Sequence, residues 1–266
     1  MFPGASPDRD DAAYALVGAP LDTSTTFQPG TRFGPDRLRH VAQSFEDYDH
    51  HTGQLFTACS VYDHGDIHPG GDTAEYLDFL EGTIGDFDGS GTVPLLMGGE
   101  HTVTIAAVRA LEPDVFVCLD AHLDLRESYA GDPLSHATVT HHALDTAEEA
   151  IILGARSGSK AEYDRATDTD VTLIEPDGVP SWESEFGTKS VYLSVDIDAA
   201  DPGFAPGTGT PEPFGLDPAT MHDVVRSVAP DAVGFDIVEV NDRDDGQAAT
   251  LGAKLLRAFV FAHADA

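Results

Sequence analysis

The sequence contains little cysteine, little positive charge and no long apolar run. Its 266 residues include 2 cysteines, 14 Lys plus Arg, and no lysine besides Lys160, Lys189 and Lys254. Two cysteines are too few for a disulfide framework, which predicts a reducing, cytoplasmic environment. The longest apolar runs have the length of β-strands, well short of the roughly 18 residues of a transmembrane helix. The first residues lack a basic segment followed by an apolar one, so no secretory signal is predicted.

The scarcity of basic residues leaves a strongly acidic chain. Its 47 Asp plus Glu give a formal net charge of −33, which argues against binding to nucleic acid or to anionic membranes. At about 1 M salt the Debye length is roughly 3 Å, and most repulsion within such a surface is screened. The composition therefore predicts a protein of a high-salt cytoplasm. The alternative is an acidic protein from a cell with an ordinary salt concentration. An apolar fraction of 41% is ample for a packed core and excludes global disorder.

Short apolar runs alternate with amphipathic stretches along the whole chain. The predicted strands are Tyr14–Gly18, Thr57–Tyr62, Val93–Met97, Val115–Asp120, Ala150–Leu153, Val171–Ile174, Val191–Asp196 and Ala232–Val238. The predicted helices are Asp36–Phe45, Thr73–Phe87, Thr102–Leu111, Pro133–Thr146, Ser159–Thr167, Pro218–Val228 and Gln247–His263. This alternation predicts a parallel sheet with helices on both faces. Because no linker or change of composition divides the chain, residues 1–266 are predicted to form a single domain.

Polar clusters follow three of the predicted strands, at the ends where open α/β sheets bind ligands. The clusters are Gly98-Gly99-Glu100-His101, Asp120-Ala121-His122-Leu123-Asp124 and Asp196-Ile197-Asp198. If the chain stays extended after each strand, residues two apart share a face, and the acidic and imidazole groups of a cluster converge. Each cluster alone has a structural alternative: helix capping, or a carboxyl pair that shares a proton.

Taken together, the clusters predict a site for two metal ions. Carboxylates and imidazoles at the ends of buried strands are costly without a cation. Four carboxylates and two imidazoles exceed what one ion with an open position needs, and they suit two ions about 3.5–4 Å apart with bridging carboxylates. Oxygen-rich ligation with some imidazole favours Mn²⁺, although other divalent ions fit, and no cysteine cluster offers a zinc site.

The same segments resemble the signature regions of the ureohydrolases, the arginase/agmatinase family. The matching motifs are GGEH at 98–101, DAHLD at 120–124, SVDIDAADPGFAPGTGTPEP at 194–213, GAPLD at 18–22, PGTRFGP at 29–35 and FDIVEVN at 235–241. The resemblance covers most of the chain. It implies a three-layer α/β/α fold around an eight-strand parallel sheet, a binuclear manganese site, hydrolysis of a guanidino group to urea, and a homo-oligomer, either a trimer or a hexamer. Gln28 and Asp242 depart from the pattern, since agmatinases often carry Arg and Pro there.

Carried over by position, the resemblance implies the ligands of both ions. The six implied metal ligands, at two ions per subunit, are His101, Asp120, His122, Asp124, Asp196 and Asp198. His101 and Asp124 would belong to the first ion, and His122 and Asp198 to the second. The remaining two carboxylates would bridge the pair.

The resemblance also implies three groups that act on the substrate. Glu239 would bind the planar guanidinium through charge-assisted hydrogen bonds. Asp124 would protonate the leaving amine, and His136 would bind near the substrate and exchange protons with solvent, since an unperturbed imidazole titrates near pH 6.5. The structural alternative for Glu239 is a surface glutamate at a strand end.

The segment 125–137 is similar to the matching loop of bacterial and archaeal agmatinases. It predicts agmatine as the substrate, with putrescine, for polyamine biosynthesis, and urea as products. Its acids Glu127 and Asp132 would attract an amine, whereas Arg126 would pair either with a substrate carboxylate or with a neighbouring acid. Arginase, guanidinobutyrase, formimidoylglutamase and a non-catalytic guanidino-binding homologue are the alternatives.

Two more distant classes are disfavoured by the residues present. A deacetylase of a related fold uses one zinc ion, which the second set of predicted ligands argues against. A nucleotide-binding protein would carry a P-loop or a dinucleotide fingerprint, and the sequence contains neither.

Overall fold

The computed structural model describes residues 1–5 and 8–266. Its strands are β1 (Tyr14–Ala19), β2 (Val61–Asp66), β3 (Val93–Gly98), β4 (Val115–Leu119), β5 (Glu149–Leu153), β6 (Val171–Ile174), β7 (Val191–Asp196) and β8 (Ala232–Val238). Its α-helices are α1 (Gly34–Ala42), α2 (Thr73–Asp88), α3 (Thr104–Leu111), α4 (Val139–Ala143), α5 (Lys160–Arg165), α6 (Pro218–Val228) and α7 (Gln247–Ala264). No helix of the described residues is both long and apolar enough to cross a membrane.

The eight strands form one parallel sheet in the order β2-β1-β3-β8-β7-β4-β5-β6. The side chains of the central strands alternate between two apolar cores. Leu16 and Leu95 lie in one core, which α1, α6 and α7 cover, and Val17 and Leu96 lie in the other, which α2, α3 and α4 cover. This alternation follows from the pleat, and burial on both faces explains why these strands are continuous apolar runs. The predicted three-layer α/β/α fold is confirmed.

Two predicted elements are wrong in position. The second strand is Val61–Asp66 and not Thr57–Tyr62, because this edge strand is largely polar and the apolar pattern misses it. Its buried Asp63 pairs with Arg39 of α1 at 2.8 Å instead of with apolar neighbours. The predicted helix Pro133–Thr146 is reduced to Val139–Ala143, because a capped 3-10 turn precedes it. Every other strand begins and ends within one residue of its prediction.

Candidate active site

The predicted site residues lie at the carboxyl ends of four neighbouring strands. β3, β8, β7 and β4 are adjacent at the centre of the sheet, although the chain reaches them in a different order. His101 follows β3, Asp120 follows β4, Asp196 ends β7 and Glu239 follows β8. The strand order places the ends of these four strands around one crevice, which is where parallel sheets bind ligands.

His101 reaches this crevice through the turn at Gly98-Gly99. A Cβ at Gly99 would lie 1.9 Å from the carbonyl oxygen of Leu21, so the close approach of the two loops requires glycine. His101 is 1% exposed, and its Nδ1 lies 3.0 Å from Asp124 Oδ2, 3.2 Å from Asp120 Oδ2 and 3.6 Å from Asp196 Oδ2. One imidazole nitrogen therefore faces three carboxylates.

A chain of hydrogen bonds behind His101 determines which of its nitrogens carries the proton. Ser194 Oγ donates to Asp236 Oδ1 at 2.6 Å, and Asp236 accepts two further bonds at 2.7 Å, from Thr104 and Tyr192. The oxygen of Ser194 is left to accept a bond from His101 Nε2, which lies 3.1 Å away. Nε2 therefore carries a proton, and Nδ1 faces the carboxylates. Burial opposes a second proton on this imidazole, yet Cys118, Asp120 and Asp124 raise its pKa well above the ordinary value.

This arrangement tests whether the residues fit a metal ion. Among the described residues, Nδ1 of His101 is a buried atom with no hydrogen-bond partner, despite its carboxylate neighbours. A lone pair that faces anionic oxygens is repelled unless a cation or a second proton lies between them. A neutral histidine whose other ring nitrogen donates to a neighbouring acceptor is the usual form of a metal ligand. The site therefore fits a divalent cation.

His122 forms a second group of the same kind. Its Nδ1 lies 3.1 Å from Asp198 Oδ2 and 3.6 Å from Asp120 Oδ1. Because Asp120 uses Oδ2 toward His101 and Oδ1 toward His122, it lies between the two groups. The side chain of Asp196 approaches His101, and its Oδ1 accepts a 2.8 Å bond from the backbone of Asp198. The six predicted ligands therefore lie together as two groups.

The path of the backbone differs from the predicted extended one. Asp124 adopts a left-handed conformation with φ of 51°, and residues Ile197–Ala199 form a 3-10 turn. Short bonds close both loops: the backbone N–H of His122 donates to Asp120 Oδ1 at 2.6 Å, and that of Asp198 donates to Asp196. The side chains converge through these turns and not through a shared strand face.

The buried charges of the site are strongly coupled. Burial and the negative charge of Asp120 raise the pKa of Asp124 to about 7. Burial and the charge of Asp198 raise the pKa of Asp196 well above its ordinary value. Burial opposes the charge on His122, yet Asp198 and Asp120 raise the pKa of that imidazole to about 12. The cluster therefore has an excess of negative charge that cations would neutralise, and its oxygen and imidazole donors suit Mn²⁺.

Glu239 lies beside this cluster with one oxygen committed. Its Oε1 accepts a 2.9 Å bond from the backbone N–H of His101, and burial raises the pKa of this carboxyl well above its usual value. Its Oε2 accepts no hydrogen bond from the described part of the chain. The residue has a φ of 59° and is 4% exposed. A cationic ligand in the crevice would satisfy the second oxygen.

A cavity of about 270 Å³ opens beside the cluster. Its lining includes His122, Asp124 and His136, which begins a 3-10 turn capped by Ser135. Burial lowers the pKa of His136, and the charge of Glu100 offsets part of that effect. A larger and mostly apolar cavity of about 690 Å³ borders α6 and α7, and its lining contains none of the predicted ligands.

The mouth of the smaller cavity holds an ion pair. Arg126 Nε lies 3.1 Å from Glu162 Oε2, so the predicted pairing with a neighbouring acid is the one that forms. Glu162 is 4% exposed and also caps α5. The acids predicted to attract an amine, Glu127 and Asp132, are exposed and do not line the cavity. The sequence showed Glu162 only as the end of a capping pattern that starts at Ser159, which indicates a helix start and no ligand.

The comparisons with known proteins agree on the family. The model of the Arginase family matches residues 12–262. An agmatinase of Bacillus anthracis is 34% identical over 257 residues, covering 90% of this chain and 87% of the relative. An N(1)-aminopropylagmatine ureohydrolase of Thermococcus kodakarensis is 35% identical, covering 96% and 91%. The crystal structure of an agmatine ureohydrolase of Thermoplasma volcanium superposes with a TM-score of 0.93 at 34% identity, covering 99% and 94%.

Proposed function

The chain belongs to the arginase family as an agmatinase-type ureohydrolase, and we propose from this premise that it hydrolyses agmatine to putrescine and urea at two Mn²⁺ ions. The observation that carries the proposal is the orphaned Nδ1 of His101 among three carboxylates. The second group around His122 shares Asp120 with the first, as a paired site requires. The family resemblance inferred from the motifs is confirmed, whereas the metal and the substrate are proposals.

Each of the six ligands has a proposed place. His101 and Asp124 would hold the first ion, and His122 and Asp198 the second. The two ions would share Asp120 and Asp196. When bound, a metal pair supplies hydroxide at neutral pH by lowering the pKa of water.

The remaining residues would bind the guanidino group and move protons. Glu239 would use Oε2 to orient the planar cation, since charge-assisted hydrogen bonds are both strong and directional. Asp124, at the cavity side of the cluster, would deliver a proton to the leaving amine nitrogen. His136, which lines the same cavity, would exchange that proton with solvent.

The mouth of the cavity supports an amine-ended substrate over a guanidino acid. The cation of Arg126 is compensated by the buried carboxylate of Glu162, so it offers little attraction to a substrate carboxylate. The relatives named for agmatine and for N(1)-aminopropylagmatine both act on amine-ended molecules, as their names state. Agmatine is the simpler of the two and is our proposed substrate.

Urea release from a panel of compounds tests this function. With Mn²⁺ and high KCl, we expect kcat/KM for agmatine to exceed that for arginine and 4-guanidinobutyrate by at least about a hundredfold, because a misplaced carboxylate or ammonium is left unpaired. The same ratio is expected against formimidoylglutamate, whose hydrolysis gives formamide and is followed by formamide release instead of urea. N(1)-aminopropylagmatine is the matched probe for a longer amine tail. A higher kcat/KM on arginine or guanidinobutyrate than on agmatine would reject the proposed substrate.

The charge of −33 supports two further parts of the proposal, a high-salt cytoplasm and assembly that depends on salt. Screening should raise the free energy of unfolding between 0.1 and 3 M KCl. Equal stability at both concentrations would contradict the high-salt setting.

We propose a trimer or hexamer for the assembled enzyme, which light scattering at high salt would measure.

A further inference from the structure

A fully buried carboxylate next to the first predicted ligand forms hydrogen bonds with a loop that is distant in sequence. Glu100 is 0% exposed and follows the glycine turn after β3. Its oxygens accept bonds from the backbone N–H groups of Thr23 at 2.5 Å and Ser24 at 2.7 Å, and from the hydroxyl of Thr102 at 2.7 Å. The hydroxyl of Ser24 donates a fourth bond, to Oε1 at 2.7 Å. Because four donors share its two oxygens, the side chain of Glu100 acts as a hydrogen-bond acceptor in every one of these bonds.

The hydroxyl of Ser24 also contacts His136. Its Oγ lies 3.0 Å from the backbone N–H of His136 and 3.0 Å from the ring Nδ1. The serine has one proton, and the bond to the buried carboxylate is the strongest use of it. The oxygen is therefore free to accept from both nitrogens of His136, and this closer contact favours the ring proton on Nδ1 over a bond donated by Ser135 Oγ, which lies 3.4 Å from the same nitrogen.

This tautomer leaves Nε2 as the nitrogen that can take up a proton. Nε2 makes no hydrogen bond with the described part of the chain, and His136 lines the cavity beside Asp124. Tyr129 packs on the ring in an edge contact, with centroids 5.7 Å apart, and limits its rotation. The ring is thus fixed in both orientation and tautomer.

We infer that Glu100 and Ser24 are positioning residues that hold His136 with Nε2 toward the cavity, ready to exchange with solvent the proton that Asp124 delivers. The inference rests on the proposed function, because it assumes that His136 moves protons during hydrolysis. Neither residue lines the cavity. Glu100 also adjoins His101, so one loop aligns both the first predicted ligand and the proposed proton shuttle.

Removal of the Ser24 hydroxyl should impair proton transfer and leave binding intact. We expect Ser24→Ala to lower kcat on agmatine about tenfold, a part of the roughly 10²–10⁴-fold that a positioned acid or base contributes. KM and the Mn²⁺ content per chain should stay within about twofold of the wild type. Ser24→Thr, which retains the hydroxyl, should restore most of kcat. Thr23→Ala is the matched control, since within the described part of the chain the exposed hydroxyl of Thr23 contacts Thr73 alone, at 3.4 Å.

A double-mutant cycle separates this role from general loop stability. If Ser24 acts through the imidazole, Ser24→Ala should cost less than about twofold in kcat when it is added to His136→Asn. An equal tenfold loss in both backgrounds would overturn the inference, and so would an unchanged kcat in Ser24→Ala alone. Wild-type enzyme that releases no urea from any guanidino compound would reject the proposed function and this inference with it. Normal wild-type turnover with an additive cycle rejects the inference alone.

Discussion

Asp196→Asn should lower kcat for agmatine by about a thousandfold or more. Asp196 is one of the two carboxylates proposed to be shared by both ions, and its Oδ2 faces His101 at 3.6 Å. An amide has the same shape but lacks the charge, and the stabilisation that a metal pair gives to a transition state is worth several kcal/mol, or about a decade per 1.4 kcal/mol. The Asn Oδ1 can still accept the bond from Asp198, so the local turn should persist.

Urea release and metal analysis by mass spectrometry measure this effect. We expect Asp196→Asn to retain less Mn²⁺ per chain than the wild type after dialysis. Asp217→Asn makes the same chemical change at the N-terminus of α6, where Asn caps a helix as well as Asp does, so its kcat should be unchanged. Activity of Asp196→Asn within about tenfold of the wild type would contradict the proposed ligand.

Glu239→Gln should lower kcat/KM for agmatine by about a hundredfold to a thousandfold and leave the metal content unchanged. A glutamine retains the acceptor for the backbone N–H of His101, which lies 2.9 Å from Oε1. It loses the charge at Oε2, and truncation of one partner of a buried charge pair costs roughly 2–5 kcal/mol. The substitution should therefore weaken binding of the substrate guanidinium and leave binding of the metal ions unchanged.

Steady-state kinetics and metal analysis on one preparation separate these effects. Glu183→Gln, the same change at an exposed position, is the matched control. A drop in Mn²⁺ content equal to that of Asp196→Asn would show that Glu239 helps to hold metal. A loss in kcat/KM of less than about threefold would show that the carboxylate does not bind the substrate cation.

The central strands were predictable because the sheet is buried on both faces. A run such as Val191–Asp196 is buried along its whole length and mostly apolar, and the acid at its end marks the edge of the sheet. The edge strand β2 was misplaced because one side of it has no partner strand, so polar residues such as Asp63 are tolerated there. Its partner Arg39 lies 24 residues away, and no local pattern connects the two.

The site was predictable in composition but not in geometry. The spacing of acids and histidines indicated a metal pair, whereas the turns at Asp124 and Asp198 depend on hydrogen bonds that the sequence does not display. Asp236 in the buried strand β8 was a visible signal, since a carboxylate inside an apolar run needs buried donors. Ser24 carried no signal, because it lies 112 positions before His136 in the sequence and meets it only in the folded chain.

The number of metal ions bound per chain tests the central claim most directly. Protein saturated with Mn²⁺ in high salt, dialysed and analysed by mass spectrometry should retain two ions per chain, and removal of both with a chelator should abolish urea release until Mn²⁺ is restored. Fully active enzyme with one ion per chain or none would contradict a paired site built from His101, His122 and their carboxylates.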